Sequence, residues 1–315
     1  MRVGVVGAGA IGGFIAAALA RAGTDVAVVA RGAHLEAIRR NGLEVESDFG
    51  RFTVTMPASD DLRSLGSFDT LLLTFKAHQW AELLPQLAPF SRTATTIVTL
   101  QNGLPFWFAR TPPLQSVDPG GTIGALFPDD QIIGGVVHVS GHIVAPGHIK
   151  QSGGTRYPLA EVNGGTERVA ALSAVLRGAG LTPEEDPHIR TTLWLKLVNN
   201  TGLNPVSALK QMTVHALLHN PQTRADVCEL MEETLAVGRA LGVVDTVDVD
   251  ASLAYAARLT DVKTSMLQDL EANRPLEIDP ILGAVVELGD RLQVPVPRLR
   301  SVYEQLKNIT AGVHG

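Results

Sequence analysis

The chain has 315 residues, 45% hydrophobic and 18% charged, enough for one large or two medium domains with buried cores. A net charge of −6 and the lack of any basic run argue against a nucleic-acid partner, whose phosphate backbone calls for concentrated Lys and Arg. A single cysteine, Cys228, excludes an internal disulfide and fits a reducing compartment.

Arg2–Val6 reads as a β-branched strand and Ile11–Ala22 as an alanine-rich helix, joined through Gly7-Ala8-Gly9-Ala10-Ile11-Gly12. The same stretch has the outline of a secretory signal, with a basic start, an apolar run and small residues at Ala18-Leu19-Ala20. Gly4, Gly7, Gly9, Gly12 and Gly13 make a poor helical signal core, so a cytoplasmic protein without a membrane span is expected. Further strands are expected at Asp25–Val29, Thr70–Thr74 and Thr96–Leu100. Residues 43–56 alternate as a small hairpin, 111–128 are irregular and rich in Pro and Gly, and 132–162 read as hairpins turning near Ser140-Gly141 and Pro146-Gly147. Pro183-Glu184-Glu185-Asp186-Pro187 is the expected linker. Beyond it apolar residues recur at helical spacing over 188–203, 206–218, 221–241, 248–271, 279–293 and 298–310. The expected fold class is α/β: an N-terminal Rossmann-type parallel-sheet domain over 1–184, then an all-helical domain over 185–315. The cleft between them is the expected active site. Cys228 is expected in the core of its amphipathic helix. His215 and His219 stand at metal-pair spacing, but no third ligand accompanies them, and His138, His142 and His148 read as structural, so no metal is expected.

The glycine-rich turn carries the first chemistry. Gly7 permits a tight turn after the first strand, Gly9 lets backbone approach a pyrophosphate, and Gly12 lets the helix pack close to the sheet. The helix N-terminus then presents its free N–H groups to phosphate. An NAD-binding chain usually ends its second strand on Asp or Glu; here the sequence is Val28-Val29-Ala30-Arg31-Gly32. Arg31 is suited to a charge-assisted contact with a 2′-phosphate, the alternative being a solvent-facing arginine. The missing acid and the present Arg agree, so NADPH/NADP+ is the expected cofactor. Lys76 and Asn102 each follow a strand end, where ligands of open α/β sheets collect.

Lys196, Asn200 and Asn204 lie four residues apart and share one helix face, with Ser207 on the same stripe. Their surroundings are largely apolar, and a polar stripe on a buried helix needs partners. Pro205 removes an N–H and frees a carbonyl one turn back. The alternative is a snorkelling lysine with two capping asparagines. Glu277, in Glu277-Ile278-Asp279, either caps a helix or holds a ligand hydroxyl.

On these residues the chain resembles the ketopantoate reductase (2-dehydropantoate 2-reductase) family along nearly its whole length. The carriers are the Gly7–Gly12 turn, Arg31, Lys76, Gln101-Asn102-Gly103, the Lys196/Asn200/Asn204-Pro205 helix, Thr264-Ser265-Met266-Leu267-Gln268-Asp269 and Glu277-Ile278-Asp279. The resemblance implies NADPH-dependent reduction of 2-dehydropantoate to pantoate, on the route to pantothenate and coenzyme A, with Lys196 as general acid. It implies that Asn200, Asn204 and Ser265 hold the substrate. Gly7, Ala8, Gly9, Ala10, Ile11, Gly12, Arg31, Lys76, Asn102, Ser140 and Glu277 would bind the cofactor, Ser140 on the loosest match. The alternatives are a reductase of another branched or aromatic 2-keto acid, and a non-catalytic NADP-binding sensor. The partner expected is a small 2-keto acid, and the helical domain is compatible with a homodimer. Two departures bear on the substrate: a long segment after Gly103, whose role as a cover over the cleft the sequence leaves open, and Val214-His215 where some members place another substrate Asn.

Overall fold

The computed structural model describes residues 1–245, 247–257 and 262–313. Two compact units emerge: Met1–Gln101 with Thr122–Ile189, and Asn102–Gly121 with Arg190–Gly315.

The first unit is built on one sheet of eleven strands: β1 (Arg2–Val6), β2 (Asp25–Val29), β3 (Leu43–Ser47), β4 (Gly50–Val54), β5 (Ala58–Ser59), β6 (Thr70–Leu73), β7 (Thr96–Thr99), β8 (Ile132–Gly135), β9 (His138–Ala145), β10 (His148–Glu161) and β11 (Thr182–Glu185). Its order is β4-β3-β10-β8-β7-β6-β1-β2-β5, with β9 and β11 also paired to β10. β2, β1, β6, β7 and β8 run parallel, as expected of apolar strands covered on both faces. The covering helices are α1 (Ala10–Arg21), α2 (Gly32–Asn41), α3 (Trp80–Leu87), α4 (Thr122–Leu126) and α5 (Glu167–Gly178). Residues 2–21, with their signal-like outline, thus form an inner strand and the helix after it. Helix α1 is buried without a break from Gly12 to Leu19, so small alanines suit it on every side.

Two local expectations need correcting in this unit. Ser140-Gly141 is not a turn: both residues lie inside β9, opposite Gly153 and Gln151, where the register slips. Gly141 is there because an added Cβ would sit 2.7 Å from the Lys150 carbonyl oxygen, a close backbone approach typical of a bulge. The expected linker at 183–187 begins instead as β11, which pairs parallel to β10 at Arg156–Leu159. The turn at Pro146-Gly147 and the hairpin of β3 with β4 match the expectation.

The second unit is helical: α6 (Ile189–Lys210, whose first residue closes the first unit), α7 (Val214–His219), α8 (Pro221–Ala240), α9 (Val249–Ala256), α10 (Ser265–Glu271), α11 (Ala284–Leu292) and α12 (Pro297–Val313). Its core includes Trp194, Leu197, Val227, Met231, Leu235, Leu282, Val285 and Leu306, all at most 1% exposed. The expected break near residue 204 is absent, and α6 runs through Pro205. Flanking Val206 and Ala208 are buried, and their packing offsets the hydrogen bond that Pro205 removes. The helix expected over 248–271 is two helices: Thr264 is extended and caps α10, its side chain accepting from Leu267 N at 3.3 Å. Residues 258–261 lie outside the described residues. Cys228 is partly exposed rather than in the core, beside Arg224 at 3.9 Å. His215 and His219 stack at 3.9 Å between ring centroids. Among the described residues no helix is long and apolar enough to cross a membrane.

Segment 102–121 belongs to the helical unit and is fastened to it along its length. Leu104 N donates to Pro280 O at 2.8 Å. The Phe108 ring stacks on Trp194 at 5.6 Å, while Arg190 lies over that ring and donates to the Phe108 carbonyl. Further along, Glu287 accepts from Gln115 N, Ser116 N and Ser116 Oγ at 2.8–2.9 Å, and Arg291 donates to the carbonyls of Pro112 and Pro113. Burial pushes the Glu287 carboxyl up, but these donors outweigh it and leave its pKa below the ordinary value. A carboxyl so lowered adds stability above the unfolded-state pKa near 4.5, and that part is lost as pH falls through the folded value. Glu287→Ala is therefore expected to cost about 1–3 kcal/mol at neutral pH, the penalty of orphaned donors. Urea unfolding at pH 7 and at about pH 4 checks this, the gap between wild type and variant narrowing at the lower pH.

Candidate active site

In the first unit the turn after β1 has the conformation that its glycines allow. Gly7 adopts φ +107°, and the Gly7 and Ala8 N–H groups both donate to Val29 O, tying the turn to the end of β2. A Cβ on Gly12 would lie 2.2 Å from both Gly7 O and Thr74 Oγ1, so only glycine lets α1 approach the strand ends. A Cβ on Gly9 would meet nothing within 4 Å. The turn is thus closed on the Gly12 side and open at Gly9, beside the N–H groups of a twelve-residue helix with no acid in its first turn. That is the shape a dinucleotide pyrophosphate requires.

Arg31 stands at the start of α2, just past β2, and is roughly half exposed. Its Nη1 donates to both carboxylate oxygens of Glu82 at 2.5 Å. Glu82 is in the first turn of α3 and drew no attention in the sequence, where an acid at that position reads as a helix-dipole partner. Lys76 follows β6, its backbone N–H bonded to Gln79 Oε1 at 3.0 Å. Ser140 is exposed on β9, its Oγ 3.4 Å from Gly153 O, and β9 packs against α1.

In the second unit Lys196, Asn200 and Asn204 lie on one helix, α6, as their spacing requires. Lys196 Nζ donates to Asn102 Oδ1 at 2.9 Å. Burial strips water from the ammonium and lowers its pKa to about 8, while the nearby Glu277 carboxylate acts in the opposite direction. Glu277 is itself only 5% exposed. Two residues expected along the cofactor, Asn102 and Glu277, are therefore neighbours of the lysine. Asn204 is buried at 7% exposure, and among the described residues neither its amide nor that of Asn200 has a hydrogen-bond partner, as groups reserved for a ligand would look. Ser207 is spent elsewhere, its Oγ donating to Met212 O at 2.7 Å. Ser265 is exposed at the start of α10. Glu277 leads into a π-helical turn, Asp279–Gly283, an irregularity often found at ligand sites.

The model of ketopantoate reductase PanE/ApbA matches residues 3–164, and that of its C-terminal domain matches residues 188–310. The chain belongs to the ketopantoate reductase family. It is 39% identical to a 2-dehydropantoate 2-reductase from Mesorhizobium japonicum, over 98% of each chain. A solved structure from Ralstonia solanacearum MolK2, proposed to be a ketopantoate reductase, shares its fold with a TM-score of 0.93 and 34% identity, covering 99% of this chain and 98% of that one. A solved 2-dehydropantoate 2-reductase from Geobacter metallireducens GS-15 gives 0.88 and 30%, over 98% and 100%. The family is one of NADPH-dependent oxidoreductases, in keeping with the absence of an acid after β2.

Proposed function

We propose that this protein reduces the ketone of 2-dehydropantoate to pantoate with NADPH, with Lys196 as proton donor. The observation that carries the reading is the Lys196 ammonium, held on Asn102 at 2.9 Å, beside buried Glu277, with a pKa lowered to about 8. When bound, the nicotinamide supplies the hydride to the carbonyl carbon. As that bond forms, negative charge grows on the ketone oxygen, and the Lys196 ammonium stabilises it and gives up one proton. A two-electron reduction of C=O to CH–OH is thereby balanced by one hydride and one proton. Asn102 Oδ1 aims Nζ, and the Glu277 charge keeps it protonated against the cost of burial. Lys196 thus stays a donor at neutral pH yet releases its proton far more readily than an exposed lysine.

The Asn200 and Asn204 amides, lacking partners on the protein, would take the substrate's hydroxyl and carboxylate, and Ser265 Oγ would donate to the same acid. In the first unit the Gly7–Gly12 turn would hold the pyrophosphate, with Arg31 as the cation for the 2′-phosphate, Lys76 along the cofactor and Ser140 at the edge of the site. No step needs a metal ion, and we place the reaction in the cytoplasm. The test is NADPH oxidation at 340 nm across a keto-acid panel that includes 2-dehydropantoate. The reading expects turnover with 2-dehydropantoate at the highest kcat/KM. Faster turnover of an aromatic keto acid would reassign the substrate, and no turnover with any member would remove the enzymatic reading.

A further inference from the structure

We propose that Glu82 tunes cofactor preference: its carboxylate is the counter-ion that a 2′-phosphate must displace from Arg31. The proposal rests on the reading of Arg31 as a phosphate ligand. β2 and β6 both pair with β1, one on each side, so the chain leaving each strand end emerges beside the glycine turn. Arg31 comes from the first of these exits, and Glu82 from α3 after the second. They meet in a two-oxygen ion pair at 2.5 Å. Glu82 is the only acid in the first turn of α3, where the helix dipole favours a carboxylate. The pair is therefore set by fixed secondary structure at the place where the ribose 2′ position would be read.

Both partners are about half exposed, 48% for Arg31 and 56% for Glu82. Water screens such a pair, so it opens at small cost and does not block the site. A 2′-phosphate brings more charge and more acceptor oxygens than a carboxylate and wins the guanidinium. Once it is bound, Glu82 remains close by as a like charge, which reduces the net gain. A cofactor with a free 2′-hydroxyl pays neither term, since the hydroxyl can donate to Glu82 while the ion pair stays closed. Glu82 thus narrows the preference for NADPH over NADH that Arg31 creates.

The test measures Kd for NADPH and NADH by quenching of tryptophan fluorescence in wild type, Glu82→Gln, Arg31→Ala and the double variant. Expected is about threefold to fivefold tighter NADPH binding in Glu82→Gln, the scale of an exposed ion pair, with NADH within twofold of wild type. In the Arg31→Ala background the Glu82→Gln gain should shrink to less than about twofold, the part left by like-charge repulsion across water. At about 1 M salt, where the Debye length is near 3 Å, it should shrink toward nothing in the single variant as well. Weaker or unchanged NADPH binding in Glu82→Gln, alongside a loss in Arg31→Ala, overturns the role of Glu82 alone. Wild-type NADPH affinity in Arg31→Ala overturns the phosphate role of Arg31 and this proposal with it. Unfolding curves of Glu82→Gln should match wild type, as both side chains face water.

Discussion

Lys196→Ala is expected to lower kcat for keto-acid reduction by about 10²- to 10⁴-fold, the range for loss of a positioned general acid. Cofactor Kd should stay within a few-fold of wild type, since the ammonium, held on Asn102 Oδ1, acts on the charge that grows on the ketone oxygen as it is reduced. Lys196→Arg should rescue little: a guanidinium keeps the charge but does not release its proton in the working pH range. The pH profile gives an independent readout. Reduction needs the ammonium, so kcat should hold below about pH 8 and fall about tenfold per unit above it. Oxidation of the alcohol product needs the neutral amine and should show the opposite slope. Stopped-flow cofactor binding and steady-state rates over pH 6–10, on wild type and both variants, decide the matter. A loss of NADPH affinity as large as the loss of rate would make Lys196 a cofactor ligand instead.

Arg31→Ala is expected to weaken NADPH by about 10- to 100-fold, the equivalent of one or two hydrogen bonds to an ionised group. NADH should change by less than about twofold, because it lacks the phosphate that the guanidinium would hold. The variant should also fold normally, as Arg31 is surface-exposed and its ion pair with Glu82 is worth little when solvated. Isothermal titration with both nucleotides reads the two numbers directly. Equal weakening of NADPH and NADH would mean that Arg31 supports the site generally and does not read the 2′ position.

The parts of the fold that the sequence made legible are those governed by short-range rules. β1, the glycine turn and α1 stand where strand propensity, turn chemistry and a run of alanines put them. The Lys196, Asn200 and Asn204 stripe was readable because a period of four on an apolar helix survives any packing arrangement. What escaped depends on distant partners. β11 carries Thr-Pro-Glu-Glu, no strand signature at all, and exists through its pairing with β10. Pro205 read as a break, yet α6 runs through it, flanked by buried Val206 and Ala208. Glu287 reaches back 171 and 172 residues to Ser116 and Gln115, and nothing local announces that bond. Glu277 was singled out as a candidate, but its place beside Lys196 follows from the turn after α10 and not from its own neighbours.

The helical unit takes in Asn102–Gly121, so the chain passes into it, leaves at Thr122 and returns at Arg190. A fragment starting at Arg190 would carry Lys196 but lack the Asn102 oxygen that aims its ammonium, as well as the Phe108 ring beside Trp194. During synthesis, at about 5–20 residues per second, segment 102–121 leaves the ribosome well before α6 and α11 exist to receive it. For that interval the buried side chains of Leu104, Phe106, Trp107 and Phe108 have no finished core to enter. The proton donor's setting therefore cannot close until Glu277 has been made, and it joins stretches of chain made at different times. Cutting the gene at the apparent domain boundary would separate them.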